Sequence, residues 1–531
     1  MPGGGLYVLV AYGSQNMMLS GNPDYTYFYT VIKKHSHFSF ESVTIPFEGG
    51  SSDLVFDEPV KIQAKVQRVA DLLSDLYFTF TLPDIYSKYF ADTSATPKSQ
   101  YEFQWVRYIG AQIIQDISFI VGGTTVQQFD SDYIISTALL DQDETQYNKW
   151  QELVGDVPEI YDPANGKYSG GGVGTPLRSP GFYPNVLQNK DPLTGVPLAQ
   201  QNNFPSIPSR DITLPLGLWF SQNYGLALPH IGLQQHECII QITLRPIHDL
   251  YTVLDPNGYR VRPEKMLDIS GNTTYSIQTG NVQYTNNTED RMYIRNYLTD
   301  FGYDAPANNR VPINPRLQAT YVYLTDDERR TFASTPLQYL VRQVSRYDFS
   351  NVSSRQFVEL FTHNPVPRII IVPRRSDAIQ CRNDWTNYTN WWKYPNAPFV
   401  PANSSAGIYG YSGINAQGIQ QDIIQQIRIL CDGNEIQEAK PLQYFRELTS
   451  WKNATGVFPP GLAVYSFALD SSRWTKPSGT LNTSRVRKFQ VDIGVNNLPA
   501  SPNYSMEYVI YVESLNFFLI ESGMGGMKYA T

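Results

Sequence analysis

Two stretches decide the fold when set side by side: Ile117–Val126, ISFIVGGTTV, and Ile427–Ile436, IRILCDGNEI. In each, an apolar run meets a two-residue turn, Gly122–Gly123 or Asp432–Gly433, and a second run follows. Glycine accepts the positive φ of tight hairpin turns, so both stretches read as β-hairpins. Aligning Gly123 with Gly433 also sets Ile117 on Ile427, Val126 on Ile436 and Gln127 on Gln437. Ile113–Ile114 then falls on Ile423–Ile424. Two hairpins converging on common turn chemistry is the plainer alternative, but several matched positions favour duplication of a whole domain.

Length and composition agree. The 531 residues exceed one ordinary domain, and all-β units run to about 200–250 residues, so two large β domains account for the chain. Aromatic residues make up 13%, charged residues only 17%, and 37 Gly and 36 Pro punctuate the whole length, which suits short strands between turns. Leu76–Leu82 (LYFTFTL) alternates, with Leu76, Phe78, Phe80 and Leu82 on one face, and Pro83 stops it. Further strand signals fall at Tyr27–Ile32, Ser42–Phe47, Val60–Val69, Leu214–Phe220, Gly225–Leu233 and Cys238–Leu244. A second set covers Ala319–Leu324, Ile369–Val372, Ile423–Leu430, Leu462–Leu469, Lys488–Ile493 and Tyr508–Leu519. Asp143–Leu153 and Asp326–Ala333 read as short helices, the latter with acids at its N-terminus. Roughly eight strands per unit and no blade-length repeat predict an all-β double jelly roll, two eight-stranded antiparallel sandwiches with long inter-strand loops. The expected division is an arm over 1–26 containing a short apolar strand, a first jelly roll over 27–247 with a long insertion about 141–211, a polar connector over 248–310, and a second jelly roll over 311–531 with an insertion about 376–422.

The net charge of −8 argues against a surface built to neutralise phosphates, so no direct nucleic-acid binding is expected. The basic pairs Lys33–Lys34 and Arg374–Arg375 read as solvated faces. Cys238, Cys381 and Cys431 give no disulfide framework and no metal spacing, which suits a reducing compartment. The apolar run Leu6–Ala11 is too short for a signal peptide core, and no run of about 18 apolar residues predicts a transmembrane helix.

Few patterns suggest chemistry. His35, His37 and Glu41 form HSHFSFE, the spacing with which cupin-type jelly rolls hold a metal through two imidazoles and a carboxylate. However, Tyr29 replaces the opening glycine of that motif, and the closing glycine comes one place late, at Gly49. His230 and His236 read as structural histidines near strand ends, and Asp53, Asp57 and Glu58 as dispersed surface acids. No GxSxG, HExxH or P-loop pattern occurs, and Gly166–Thr175 lacks the GK[ST] of a phosphate cradle. Trp385, Tyr388, Trp391 and Trp392 suit either sugar stacking or, the favoured reading, anchoring of a long loop. Asn-x-Ser/Thr acceptors stand at Asn272, Asn286, Asn351, Asn387, Asn403, Asn453, Asn482 and Asn503.

Elements spread in order along most of the chain resemble the major capsid proteins of the nucleocytoplasmic large DNA viruses. They are Leu9–Gly13 with Gln15, Gly21–Pro23, and Lys33–His35 with Phe38 and Glu41. Then come WFSQNYGLALPHIGLQQHE (Trp219–Glu237), YVYLTDDERRTFA (Tyr321–Ala333), THNPVPRIIIV (Thr362–Val372), YSFAL (Tyr465–Leu469), PSGTLNTSR (Pro477–Arg485) and SGMGG (Ser522–Gly526). His37, Thr325 and the order His363–Asn364 depart from the family pattern. The resemblance implies a structural protein of the virion, assembled in the host cytoplasm, with no catalytic residues, metal or cofactor. It implies a homotrimeric, pseudo-hexagonal capsomer that tiles an icosahedral shell against neighbouring capsomers. Minor capsid proteins, a penton protein and an internal viral membrane near the N-terminal side are the implied partners, with glycans on outer loops. A carbohydrate-binding or cupin-like metal jelly roll is the alternative reading.

Overall fold

In the first half of the chain the principal strands are β1 (Phe38–Pro46), β2 (Val60–Val66), β3 (Leu72–Leu82), β4 (Ile114–Val121), β5 (Thr124–Phe129), β6 (Arg210–Pro215), β7 (Cys238–Leu244) and β8 (Arg316–Leu324). One sheet runs β1-β8-β3-β6 and the other β2-β7-β4-β5. The second half supplies β9 (Leu337–Val352), β10 (Gln356–Glu359), β11 (Arg368–Arg375), β12 (Ile424–Cys431), β13 (Asn434–Pro441), β14 (Ala463–Ser466), β15 (Phe489–Val495) and β16 (Met506–Glu521). Their sheets run β9-β16-β11-β14 and β10-β15-β12-β13. Adding eight to each strand of the first pair of sheets yields the second pair. Adjacent strands are antiparallel, so the chain is a jelly roll repeated strand for strand. This computed structural model describes residues 3–49, 53–87, 89–90, 99–100, 102–163, 205–254, 260–263, 273–277, 280–284, 292–299, 306–389, 422–456, 458–473, 476–498 and 505–529.

The strands follow from their side-chain pattern. β2 (VKIQAKV) and β7 (CIIQITL) each bury every second residue, so one face of the sheet makes core and the other meets solvent. Both hairpins read from the sequence are present. Gly122 and Gly123 have φ of +57° and +83°, and Asp432 and Gly433 have +50° and +82°, the paired left-handed conformations of a type I′ turn. The hairpins β4–β5 and β12–β13 hold equivalent places in the two sandwiches, which is the structural content of the internal match.

The second sandwich begins later than its sequence suggests. Ala319–Leu324, expected in the second unit, lies in β8, between β1 and β3 of the first: Tyr321 faces Glu41 on one side and Leu73 on the other. Its hydrogen-bond partners lie over 200 residues upstream, and strand pattern carries no label for a distant partner. The division therefore falls at the helix Asp326–Ser334 rather than at residue 311. The stretch 248–310 is not a free connector either. Tyr251–Leu254 pairs with Phe103–Trp105, Arg310–Pro312 pairs with Asp53–Val55, and Tyr251, Ile294 and Tyr297 are fully buried. Tyr251 stacks on Phe103 with ring centroids 4.7 Å apart. A few aromatics fix its described parts to the first sandwich, while the expected turns at Asp255–Gly258 and Gly271–Asn272 fall wholly or mostly outside the described residues.

Smaller corrections have local causes. The apolar run of the arm lies in a helix, α1 (Gly4–Val10), followed by α2 (Ser14–Ser20), and Tyr27–Ile32 is exposed chain outside any strand. Leu214–Phe220 stops as a strand at Pro215, because Gly217 turns with φ +65° into a 3-10 turn at Trp219–Ser221. Within Gly225–Leu233 only Leu228–Pro229 pairs, with β3. The long strand β9 and helix α3 (Ser131–Asp141) carry no clean periodicity and were not anticipated. Helix α4 (Glu144–Leu153) matches expectation, with the Asp143 side chain accepting the Gln146 N–H at 2.7 Å. Helix α5 (Asp326–Ser334) also matches, with Asp326, Asp327 and Glu328 in its first turn. Among the described residues no helix is long and apolar enough to cross a membrane.

At Gly123 and Gly433 an added Cβ would meet nothing within 4 Å, so a substitution there tests backbone conformation alone. Gly123→Val and Gly433→Val are each expected to lower stability by about 1–2 kcal/mol in chemical denaturation. Gly526→Ala, with open space and no positive φ, should stay within about 0.5 kcal/mol of the parent.

Candidate functional site

β11 reads RIIIVPRR, and all eight residues are buried. A strand buried on both faces is continuously apolar rather than alternating. Ile369 and Ile371 point into the core of the second sandwich, while Ile370 and Val372 join the larger core that includes the first. The sheet β9-β16-β11-β14 is thus the wall between the two sandwiches. Opposite it stand β5 and α3.

Apolar and polar contacts alternate across this seam. Trp219, fully buried, packs its ring against Tyr339 and Phe518, with centroids 5.1 and 5.9 Å away. Gln127 donates to the Arg342 carbonyl at 2.7 Å and accepts the Trp219 N–H at 2.9 Å. Helix α3 then presents acids to arginines of the wall. Asp132 binds Arg374 through both oxygens. Asp141 binds Arg368 at 2.5 and 3.0 Å. Glu513, on β16, lies between Arg368 at 2.7 Å and Arg342 at 3.2 Å, and accepts the Tyr133 hydroxyl at 2.7 Å. Asp130 caps α3 by accepting the Tyr133 N–H at 3.0 Å, pairs with Arg346 at 2.8 Å and accepts the Tyr511 hydroxyl at 2.7 Å. Arg374–Arg375, expected as a solvated pair, is therefore buried. A short arginine pair looks the same in sequence whether its counter-ions are water or a helix 240 residues away.

The electrostatics follow from burial and partners. Burial opposes ionisation of Glu513, but Arg368 and Arg342 outweigh it and hold the carboxyl below its ordinary range. Asp132 behaves likewise against Arg374. For Asp130 burial and the neighbouring Asp132 win over Arg346, and its pKa is raised. Two acids two residues apart thus have their pKa values pushed in opposite directions by their surroundings.

The residues singled out from sequence fall elsewhere. His35 and His37 lie in exposed chain before and at the edge of β1, His35 Nδ1 contacts the Ser36 carbonyl at 2.7 Å, and Glu41 accepts the Tyr323 hydroxyl at 2.7 Å. Among the described residues no three His, Cys, Asp or Glu side chains are grouped to hold a metal. Trp385 donates to the Asp249 carbonyl at 2.9 Å and Tyr388 is buried, so these two anchor their loop, as favoured. Trp391 and Trp392, the Gly166–Thr175 loop and the acceptors Asn272, Asn286, Asn403 and Asn503 lie outside the described residues. Asn387 is buried and Asn453 donates to the Ala468 and Leu469 carbonyls, while Asn351 and Asn482 are exposed. Cys238 and Cys431 are free thiols. His236 Nδ1 sits 2.9 Å from the Gly525 carbonyl. His230 is buried with neither ring nitrogen hydrogen-bonded, and burial with the nearby Arg68 pushes its pKa down to about 4.

Removing one partner of a buried charge cluster strands the rest, so Arg368→Met should cost about 3–5 kcal/mol in denaturation. Arg368→Met combined with Glu513→Gln should cost less than the sum of the single changes. His230 contributes through linkage. The unfolded chain binds its proton near pH 6.5 and the folded chain only near pH 4, so stability falls as pH drops between those values. His230→Gln should flatten that part of the stability profile, by about 3 kcal/mol at the acid end.

Comparison with known proteins agrees with this architecture. Residues 26–295 match the family described as major capsid protein N-terminus, and residues 328–526 match the large eukaryotic DNA virus major capsid protein. The chain is 22% identical to probable capsid protein 4 of Acanthamoeba polyphaga mimivirus, over 99% of both chains. It is 23% identical to the major capsid protein of Paramecium bursaria Chlorella virus 1, again over 99% of both. Among solved structures it resembles the PBCV-1 virus capsid with a TM-score of 0.62 at 19% identity, covering 95% of this chain and 100% of that one. It resembles the Faustovirus major capsid protein with a TM-score of 0.62 at 13% identity, covering 97% and 96%. A repeated jelly roll, locked at a buried ionic seam and matched to capsid families along both halves, places this chain in the major capsid protein family of the large eukaryotic DNA viruses.

Proposed function

We propose that the chain builds the shell as a closed homotrimer and acts by assembly rather than catalysis. The observation that carries this reading is that the two sandwiches repeat strand for strand but bury matched faces unequally. Val126 of β5 is 1% exposed at the seam, whereas its match Ile436 on β13 is 41% exposed. The segment after β5 is the buried α3. The segment after β13, a turn over Tyr444–Leu448 and the helix α6 (Thr449–Asn453), leaves Leu448 exposed and Trp451 84% exposed. Conversely, the outer face of β9-β16-β11 is buried against the first sandwich, while β1 and its surroundings expose Phe38, Phe40, Tyr224 and Tyr323. Each chain so carries one closed contact and the two open halves of another of the same kind. Joining open halves head to tail is a heterologous contact, which closes a ring when the rotation allows, and three copies would set six sandwiches in that ring. Large exposed apolar faces of this type suit an obligate interface.

The partners follow the same logic. Residues 3–42 are exposed throughout and rich in apolar side chains, which suits contact with minor capsid proteins or an internal membrane on one side of the shell. A penton protein would fill the five-fold corners. Glycans, where present, would sit on exposed acceptors such as Asn351. The acidic balance fits a shell with no direct grip on nucleic acid.

Light scattering after size exclusion should give three times the 60.2 kDa chain mass. Trp451→Asp or Phe40→Asp should shift the protein to monomer with its circular dichroism intact. A monomeric parent protein would overturn the trimer, while a trimer that survives both substitutions would leave the trimer standing and reject these faces. Deleting residues 1–37, none of which is buried among those described, should leave the melting temperature unchanged while impairing shell assembly.

A further inference from the structure

The duplication maps the internal seam onto the open wall of the first sandwich, residue by residue. The alignment that sets Gly123 on Gly433 also sets Asp141, at the end of α3, on Trp451 of α6. Asp141 binds Arg368 at the start of β11. Arg368 pairs with Ser466, where β14 ends, and Tyr77 of β3 pairs with Pro215, where β6 ends. Tyr77 therefore holds in the first wall the place that Arg368 holds in the second. The match continues past those strand ends. Ser472, six residues after Ser466, donates to the Leu140 carbonyl at 3.2 Å, and Ser221 stands six residues after Pro215. A helix docked on the first wall as α3 docks on the second would bring Trp451 to Tyr77 and Ser221.

A cavity of about 550 Å³ lies at that spot. Trp150 and Leu216 are buried in its walls, Asp75, Tyr77 and Ser221 are partly buried there, and Gln222 is exposed at its rim. Tyr224, two residues beyond Gln222, lies 5.8 Å from Phe40 between ring centroids, so the cavity adjoins the open aromatic face. Asp75 accepts the Ser74 hydroxyl at 3.2 Å and makes no ion pair among the described residues, and burial raises its pKa. Lys452, beside Trp451, is exposed and likewise makes no ion pair among the described residues.

We propose that this cavity is the socket in which a second copy of the chain seats its Trp451, with Lys452 of that copy answering Asp75. The inference rests on the trimer reading above and adds the receptor for its anchor. A large aromatic side chain buries about 150–250 Å² and carries most energy when it fills a pocket at the centre of an interface. A carboxylate already partly out of water gains more from an incoming cation than an exposed one does. The place taken by the Asp141–Arg368 ion pair inside the chain is thus taken between chains by an aromatic contact, with one charge pair beside it.

The test puts one cysteine on each side of the contact, Lys452→Cys and Gln222→Cys, in the full-length protein. Each single variant serves as the control for the native thiols. A short bismaleimide should link the double variant into covalent dimers and trimers on a denaturing gel, and neither single variant should link. A double variant that runs as a trimer in solution but forms no link between chains overturns the socket and leaves the trimer standing. A parent protein that is monomeric overturns both. Gln222→Trp, which fills the socket from its rim, supplies a second readout. Its circular dichroism should be intact, and the concentration at which the trimer half dissociates should rise about tenfold or more. An unshifted midpoint would put Trp451 outside the cavity and reject the proposal.

Discussion

Glu513 is the point on which the two halves turn. It is fully buried on β16, between Arg342 and Arg368, with the Tyr133 hydroxyl as a further donor. A carboxylate in such a place is stable only while all its partners are present, because taking ions out of water costs several kcal/mol each and only close pairing offsets it. Tyr133 comes from α3 of the first sandwich and the arginines from the second. The network therefore forms in full only when the sandwiches meet in one register. Apolar contacts such as Trp219 on Tyr339 supply attraction, which is non-directional, while the ion pairs select the alignment.

That selection suits a repeated fold. Two similar sandwiches joined by α5 could dock in many ways if only greasy faces met. Acids on α3 answered by arginines on the wall sheet leave one arrangement with every charge satisfied. The matched surfaces on the outer flanks, with Trp451 and Ile436 on one and Phe38 and Phe40 on the other, carry aromatic and aliphatic groups instead. An interface inside a chain forms once, during folding. A contact between chains has to form from separate folded copies, for which desolvating an apolar face is cheaper than burying charges.

Much of the fold is legible in residues that act locally. The glycines and aspartate of the two hairpin turns report a backbone conformation that few other residues adopt, so the β4–β5 and β12–β13 hairpins could be read at once. The period of two in Leu76–Leu82 and the acids of α5 are equally local. The places that misled share one feature, dependence on distant chain. β8 has the pattern of a strand but belongs to a sheet whose other strands lie far upstream. β9 alternates poorly because one of its faces is wall to the other sandwich and its far end is open. Arg374 reads as surface until Asp132 is placed beside it.

The sequence by itself determined the class of fold, its duplication and, through ordered motifs, its family, because turn chemistry, strand period and motif order are properties of neighbouring residues. Tertiary structure alone decided which sandwich owns β8, which arginines are buried and which of two matched faces stays open. Those outcomes depend on hydrogen bonds and charges brought together across more than 200 residues, and no local pattern encodes the identity of so remote a partner.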